Sequence, residues 1–250
     1  MIGAVDPFAP LISGHGLFLD FDGTLVDLAA RPEQVLVPAP LLADLQQLQA
    51  LLEGRLAVIS GRPIAQIDAL LAPLRLPVAG VHGLERRGAD GRMHQAPVPD
   101  MTSVRTAASA LVARHPGLWL EEKYGALALH YRQAPQLGPL CDSAMEEAVR
   151  NCPGTALLKG KMVAEIKPAG VDKGAALRAF LDEAPFAGHL ALFAGDDITD
   201  EAGFLQVQAA GGAGIKVGPG PSIAEYRIDS PAALHAALAQ VVHTLSRRMA

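Results

Sequence analysis

Two carboxylates stand two residues apart where an apolar run stops, in Leu17-Phe18-Leu19-Asp20-Phe21-Asp22-Gly23-Thr24-Leu25. A short buried strand that ends this way delivers acid groups to the carboxyl edge of a sheet, where open α/β sheets place their ligands. The spacing suits phosphoryl chemistry. Asp20, at the strand end, can attack phosphorus and hold a metal, while Asp22, just past it, can reach the leaving oxygen as an acid. Gly23 lets the chain turn sharply, and Thr24 offers a hydroxyl near the phosphate. Asp-Gly is also a common hairpin signal, but hairpins want alternating strands on both sides, and this flank is a continuous apolar run.

A second apolar run ends in the same manner. Leu192-Phe193-Ala194-Gly195 leads into Asp196-Asp197-Ile198-Thr199-Asp200-Glu201, four carboxylates within six residues. Such crowding repels strongly in a partly buried site unless a cation is present. Oxygen-only ligands favour magnesium, which takes one or two carboxylates, waters and a substrate phosphate. Acids decorating a helix start account for Asp200 and Glu201, but not for the buried approach to Asp196. Two weaker signals lie between these runs. Ser60, in Val58-Ile59-Ser60-Gly61-Arg62, sits where a phosphate ligand and an ordinary helix cap are both reasonable. Lys173 opens a helix against the macrodipole, so either an anion offsets it or it is a solvated lysine.

These residues need a scaffold, and apolar periodicity supplies one. Strands are expected at 17–20, 55–60, 77–81, 190–194 and 213–217, with helices at 38–53, 63–71, 173–184, 199–207 and 231–247. A polar hairpin closes at Asp90-Gly91 within 85–94. Between them the rhythm changes, with helices at 101–114 and 139–151 and strands at 118–122, 126–132, 156–159 and 162–167. The expected fold is α/β: a Rossmann-like parallel-sheet core from residues 1–97 and 169–250, interrupted by an inserted α+β cap of residues 98–168. Inserts of that kind commonly act as lids.

Composition narrows the partners. The 250 residues are 50% hydrophobic and 4% aromatic, enough apolar content for a real core, and the formal charge is −5. There is no global basic field to draw nucleic acid or anionic lipid, so an anionic substrate needs local compensation. No stretch approaches the ~20 apolar residues of a membrane span, and residues 1–16 carry no basic leader. Cys141 and Cys152 have no partner pattern, as expected of free thiols in a reducing compartment. The expectation is a soluble, cytoplasmic protein acting on a small molecule.

Taken in order, Asp-x-Asp-Gly-Thr, the strand-end Ser60, Lys173 and Gly195-Asp196-Asp197 resemble the haloacid-dehalogenase superfamily of phosphotransferases over nearly the whole chain. The resemblance implies Asp20 as nucleophile, Asp22 as general acid and base, and Ser60 and Lys173 as phosphoryl ligands. It implies a Mg2+ site made by Asp20, Asp196 and the backbone carbonyl of Asp22, with Asp197 and Asp200 behind it, and phosphoryl binding extending over Gly23, Thr24 and Arg62.

The insert is more specific. It carries Glu121-Glu122-Lys123, His130-Tyr131-Arg132 and Gly160-Lys161-Met162-Val163-Ala164-Glu165-Ile166-Lys167. Strand alternation puts Lys161, Val163, Glu165 and Lys167 on one face, which is either a solvated sheet face or a surface for sugar hydroxyls. Together with Gly195-Asp196-Asp197 and His82-Gly83, these motifs are similar to the trehalose-phosphate phosphatases. That resemblance implies hydrolysis of trehalose 6-phosphate through an aspartyl phosphate, with Glu121, Lys123, Arg132, Lys161 and Glu165 contacting the disaccharide or closing the cap. Tyr124-Gly125 departs from it, since relatives often have glycine directly after the lysine. The alternatives are another sugar phosphatase of the superfamily, acting on sucrose phosphate or a mannosyl phosphoglycerate, or a non-catalytic sugar-phosphate sensor.

Overall fold

The computed structural model describes residues 7–29 and 34–249. The chain runs through β1 (Gly16–Leu19), α1 (Ala39–Leu51), β2 (Leu56–Ile59), α2 (Ile64–Leu71), β3 (Val78–Gly80) and a hairpin of β4 (Glu85–Arg87) and β5 (Met93–Gln95). It continues with α3 (Thr102–Arg114), β6 (Trp119–Lys123), β7 (Ala126–His130), α4 (Gly138–Arg150), β8 (Thr155–Gly160) and β9 (Val163–Pro168). Last come α5 (Lys173–Leu181), β10 (Ala191–Gly195), α6 (Glu201–Ala209), β11 (Ala213–Val217), β12 (Tyr226–Ile228) and α7 (Pro231–Met249). Two compact units result, one of Met1–His94 with Asp172–Ala250 and one of Gln95–Val171. No helix among the described residues is long and apolar enough to cross a membrane.

The larger unit is built on a sheet ordered β12-β11-β10-β1-β2-β3-β4-β5. Every pairing from β12 to β3 is parallel, and only β4 runs antiparallel to β3. The inner strands are buried on both faces, which is why they read as unbroken apolar runs. Successive side chains serve opposite layers. Leu17, Leu19, Leu192 and Ala194 join Leu41, Leu45 and Leu48 of α1 and Leu234 and Leu238 of α7. Phe18 and Phe193 join Leu177 and Phe180 of α5 and Phe204 of α6. Each such Leu or Phe contributes about 1.5–3 kcal/mol by leaving water. From β1 the chain passes to β2 and β3 on one side, and later to β10, β11 and β12 on the other, so β1 and β10 flank the point where strand order reverses. That reversal leaves a crevice at the carboxyl ends of the strands.

Three differences from the sequence expectation stand out. β12 is a three-residue edge strand that pairs with β11, too short to show a period. The helix expected from residue 199 begins as a 3-10 turn, Ile198–Asp200, capped by Asp197, before α6 starts at Glu201. α5 stops at Leu181 rather than 184, with Asp182 as its C-cap; Pro185 disfavours helix at residue 184.

In the smaller unit an antiparallel sheet is ordered β6-β7-β9-β8. Leu127, Leu129, Ala164 and Ile166 on one face pack with Val104 and Ala108 of α3 and Cys141 and Met145 of α4. The opposite face carries Trp119, Glu121 and Lys123 of β6, Ala126, Ala128 and His130 of β7, and Val163, Glu165 and Lys167 of β9. Lys161 departs from the expected alternation. It precedes β9 in a tight exposed turn with Met162, whose φ is 63°, so strand geometry does not place it on that face. Arg132 likewise lies past β7 in an exposed turn.

Candidate active site

Asp20, Asp196 and Ser60 each follow the last residue of a strand, β1, β10 and β2, and these three strands are neighbours in the sheet. Asp20 is 4% exposed and Lys173 3%, so both charges are out of water. Lys173 Nζ donates to Asp20 Oδ1 at 2.7 Å and to Asp200 Oδ1 at 2.6 Å. The anion that offsets a lysine at a helix start is therefore a pair of carboxylates. Asp172 caps that helix, its side chain accepting from the Ala175 N–H at 2.7 Å. This fixes the first turn of α5 and with it the root of Lys173.

Asp200 is wholly buried and fully engaged. Its Oδ2 accepts the N–H groups of Asp196 at 3.0 Å and Asp197 at 2.9 Å, while Oδ1 takes the lysine. Asp197 returns a cap to Ile198 N at 2.6 Å. The acidic cluster is thus half structural: Asp197 and Asp200 shape the loop that aims Asp196. Lys216, which the sequence reading missed, lies buried on β11 and donates to the backbone carbonyls of Asp196 and Val217. Its signal was an isolated lysine inside an apolar strand, which a sheet edge explains equally well.

Gly23 is required twice. Its φ is +83°, and a Cβ there would lie 2.3 Å from Asp196 Oδ2. The turn after β1 thereby lets the Asp196 carboxylate approach. Gly195 is similar: a Cβ would lie 2.3 Å from Asp200 Cγ.

Oxygen atoms of Asp20, Asp196 and Asp200 lie within 4.8 Å of one another. Burial pushes the Asp20 carboxyl well above the ordinary carboxylate range; Lys173 opposes that, while Asp200 and Asp196 add to it. Burial disfavours charge on Lys173 too, but Asp20 and Asp200 outweigh it and hold the ammonium above its usual pKa. Three carboxylates around one such ammonium leave an excess of negative charge, and the donors are hard oxygens. That donor set fits a divalent cation such as magnesium. With Asp200 spent on Lys173 and two N–H groups, Asp20 and Asp196 are the carboxylates it offers as ligands.

Asp22 is held differently. Arg62 Nε donates to its Oδ2 at 2.6 Å and Arg62 Nη2 to its Oδ1 at 2.7 Å, a fork that takes both oxygens. The guanidinium lies over the Phe21 ring at 5.8 Å. Arg62, expected at the phosphate, is thus a partner of the expected acid. Ser60 is 1% exposed, and its Oγ accepts from Arg62 N at 3.1 Å, which keeps the hydroxyl proton for another acceptor. Thr24 is wholly buried and its Oγ1 has no protein partner, so its hydroxyl is not presented at a surface. Val81 and His82 adopt φ of 47° and 55° just past β3, where a side chain larger than glycine is strained. This places the His82 ring against Gly61, 2.8 Å from where a Cβ would stand.

In the smaller unit the polar sheet face forms a chain. His130 Nε2 lies 3.0 Å from Glu121 Oε2. Lys123 Nζ lies 3.7 Å from that same oxygen and 3.2 Å from Glu165 Oε2. Ala128 stands between Glu121 and Glu165 in register and is wholly buried, a floor low enough for the long side chains to meet above it. Burial would raise the Glu121 carboxyl, but bonds from His130 and Lys123 hold it below its ordinary range. Glu121, Lys123 and Glu165 are therefore brought together, whereas Lys161 and Arg132 stand outside this chain among the described residues.

Comparison with known proteins adds to this geometry. Residues 18–232 match the family described as Trehalose-phosphatase. The chain is 43% identical over 220 residues to a trehalose-6-phosphate phosphatase of Escherichia coli strain K12, covering 87% of this chain and 83% of that one. Against a probable trehalose-phosphate phosphatase of Sinorhizobium fredii it is 44% identical over 210 residues, covering 83% and 79%. A crystal structure of a trehalose-6-phosphate phosphatase related protein superposes with a TM-score of 0.77 at 28% identity, covering 93% of this chain and 99% of that one.

Proposed function

The chain belongs to the trehalose-phosphatase family, and from that premise we propose that it hydrolyses trehalose 6-phosphate to trehalose and phosphate, the last step of trehalose synthesis, by way of an aspartyl phosphate on Asp20. The observation that carries the reading is the buried Asp20 at the end of β1, fixed by Lys173 and followed two residues later by a second carboxylate.

The Asp20 carboxylate attacks phosphorus, forming an O–P bond as the bond to the sugar oxygen breaks. Asp22 gives its proton to that departing oxygen, then takes one from the water that cleaves the acyl phosphate. For either transfer the Arg62 fork must release Asp22, and the incoming phosphate is an alternative anion for the guanidinium. Lys173 and the Ser60 hydroxyl offset charge on the phosphoryl oxygens. Asp20 and Asp196, with the backbone carbonyl of Asp22, would hold magnesium, whose contribution when bound is to neutralise phosphate charge. Glu121, Lys123 and Glu165 meet the sugar hydroxyls, with Arg132 and Lys161 on adjoining turns. Carboxylates that accept beside an ammonium that donates are what a hydroxyl-rich ring needs. The buried free thiols Cys141 and Cys152 fit a cytoplasmic setting.

Phosphate release on a panel of sugar phosphates, with and without magnesium, tests this. Trehalose 6-phosphate should lead sucrose phosphate, mannosyl phosphoglycerate and glucose 6-phosphate in kcat/KM. A different leader overturns the substrate, and no release from any of them overturns the activity.

A further inference from the structure

The chain of polar side chains on the smaller sheet ends at an aromatic corner that the proposed chemistry does not use. Trp119 opens β6 and pairs directly with His130 of β7. The two rings stack, with centroids 4.6 Å apart and planes 24° from parallel. His130 Nε2 in turn meets Glu121 Oε2 at 3.0 Å. The imidazole is therefore fixed twice, by indole and by carboxylate, and holds the indole in one orientation. Yet Trp119 remains 49% exposed. A rigid, half-open indole beside an oriented carboxylate is a combination with a definite complement. Its π face carries partial negative charge, which attracts the C–H bonds on the flat face of a pyranose. A carboxylate at the edge of that plate accepts from the equatorial hydroxyls around the ring.

We propose that Trp119, backed by His130, is the plate on which the phosphate-free glucose ring of the substrate rests, with Glu121 taking hydroxyls at its rim. This rests on the trehalose 6-phosphate reading above. Only one ring of that substrate carries the phosphate, so the other ring is the part of the molecule that needs a seat of its own. The plate is then a specificity determinant: it rewards a disaccharide and is indifferent to a monosaccharide phosphate.

Trp119 is the only tryptophan of the chain, so its emission reports on this corner alone. The full chain carrying Asp20→Asn, titrated in magnesium buffer with trehalose 6-phosphate, should show a saturable blue shift. Glucose 6-phosphate and inorganic phosphate at saturating concentration should give none. In the otherwise unmodified chain, Trp119→Ala should raise KM for trehalose 6-phosphate about tenfold while kcat falls less, and Trp119→Phe should recover most of the loss. An equal shift with glucose 6-phosphate overturns the assignment to the second ring. A KM unchanged in Trp119→Ala overturns the plate, provided the unmodified chain releases phosphate from trehalose 6-phosphate. If it releases none, the activity reading fails, and this inference with it.

Discussion

The two polar clusters of this molecule are held by opposite means. At the ends of β1 and β10 the acids are fixed from below, by backbone N–H groups, by a buried ammonium and by glycines that leave room for nothing larger. On the β6-β7-β9 face the charged groups are fixed by one another across a floor of alanine, at the distances of ordinary ion pairs. The first arrangement has one geometry, as a reaction with a single trajectory requires. The second is held by side chains alone, and on the proposed reading it presents charged acceptors and donors to sugar hydroxyls. On that reading, chemistry falls to the part fixed by backbone and glycine, and choice of molecule to the part fixed by side chains.

Substitutions in the two clusters should therefore differ in kind. Asp20→Asn should eliminate turnover of every phosphate ester, by at least about 10,000-fold, while circular dichroism and thermal melting show an intact fold. Residual activity within tenfold of the parent would remove Asp20 as nucleophile. Chelation should come next, lowering all substrates together by about a hundredfold or more, with added magnesium restoring them. Full activity after exhaustive chelation would end the metal assignment. Asp22→Asn should cost about 100- to 10,000-fold on the sugar phosphate, whose alkoxide needs a proton, and clearly less on an activated aryl phosphate. Equal losses would mean that Asp22 does not serve the leaving group. Smallest, and confined to the sugar, is Glu165→Ala. Losing a charged acceptor costs roughly 1.5–3 kcal/mol, or about ten- to a hundredfold in kcat/KM on trehalose 6-phosphate, with aryl phosphate hydrolysis nearly unmoved. Parallel losses on both esters would turn Glu165 from a sugar contact into a group that organises the unit as a whole.

The same contrast decides what could be read from sequence. Strand-end acids are legible because the evidence for them is local: an apolar run, then Asp20 or Asp196. The alternation of the parallel strands is legible for the same reason. Lys173 was ambiguous because its partners, Asp20 and Asp200, are far away in the chain. The fork from Arg62 to Asp22 was not legible, because no local pattern reveals a partner 40 positions earlier. In the smaller unit, alternation found the face of Val163, Glu165 and Lys167 but carried Lys161 onto it, since a one-residue difference in where the turn ends is invisible to period alone. The Trp119–His130 stack is a cross-strand contact, and register is what a single sequence conceals best.

The splitting of the larger unit around a contiguous insert has a consequence for the order in which the molecule is made. Residues Gln95–Val171 carry their own apolar core and pair neighbouring strands, so they can fold as they leave the ribosome, at about 5–20 residues per second. β1 has no such opportunity, because one of its two partners is β10, and the Lys173 that steadies Asp20 lies 153 residues further along the chain. Until that segment emerges, a central, wholly apolar strand has an open edge, the kind of edge that invites association with other chains. Nascent chains of this protein should thus be most vulnerable late in synthesis, when the insert is already native and Asp20 still lacks β10 and Lys173 beside it.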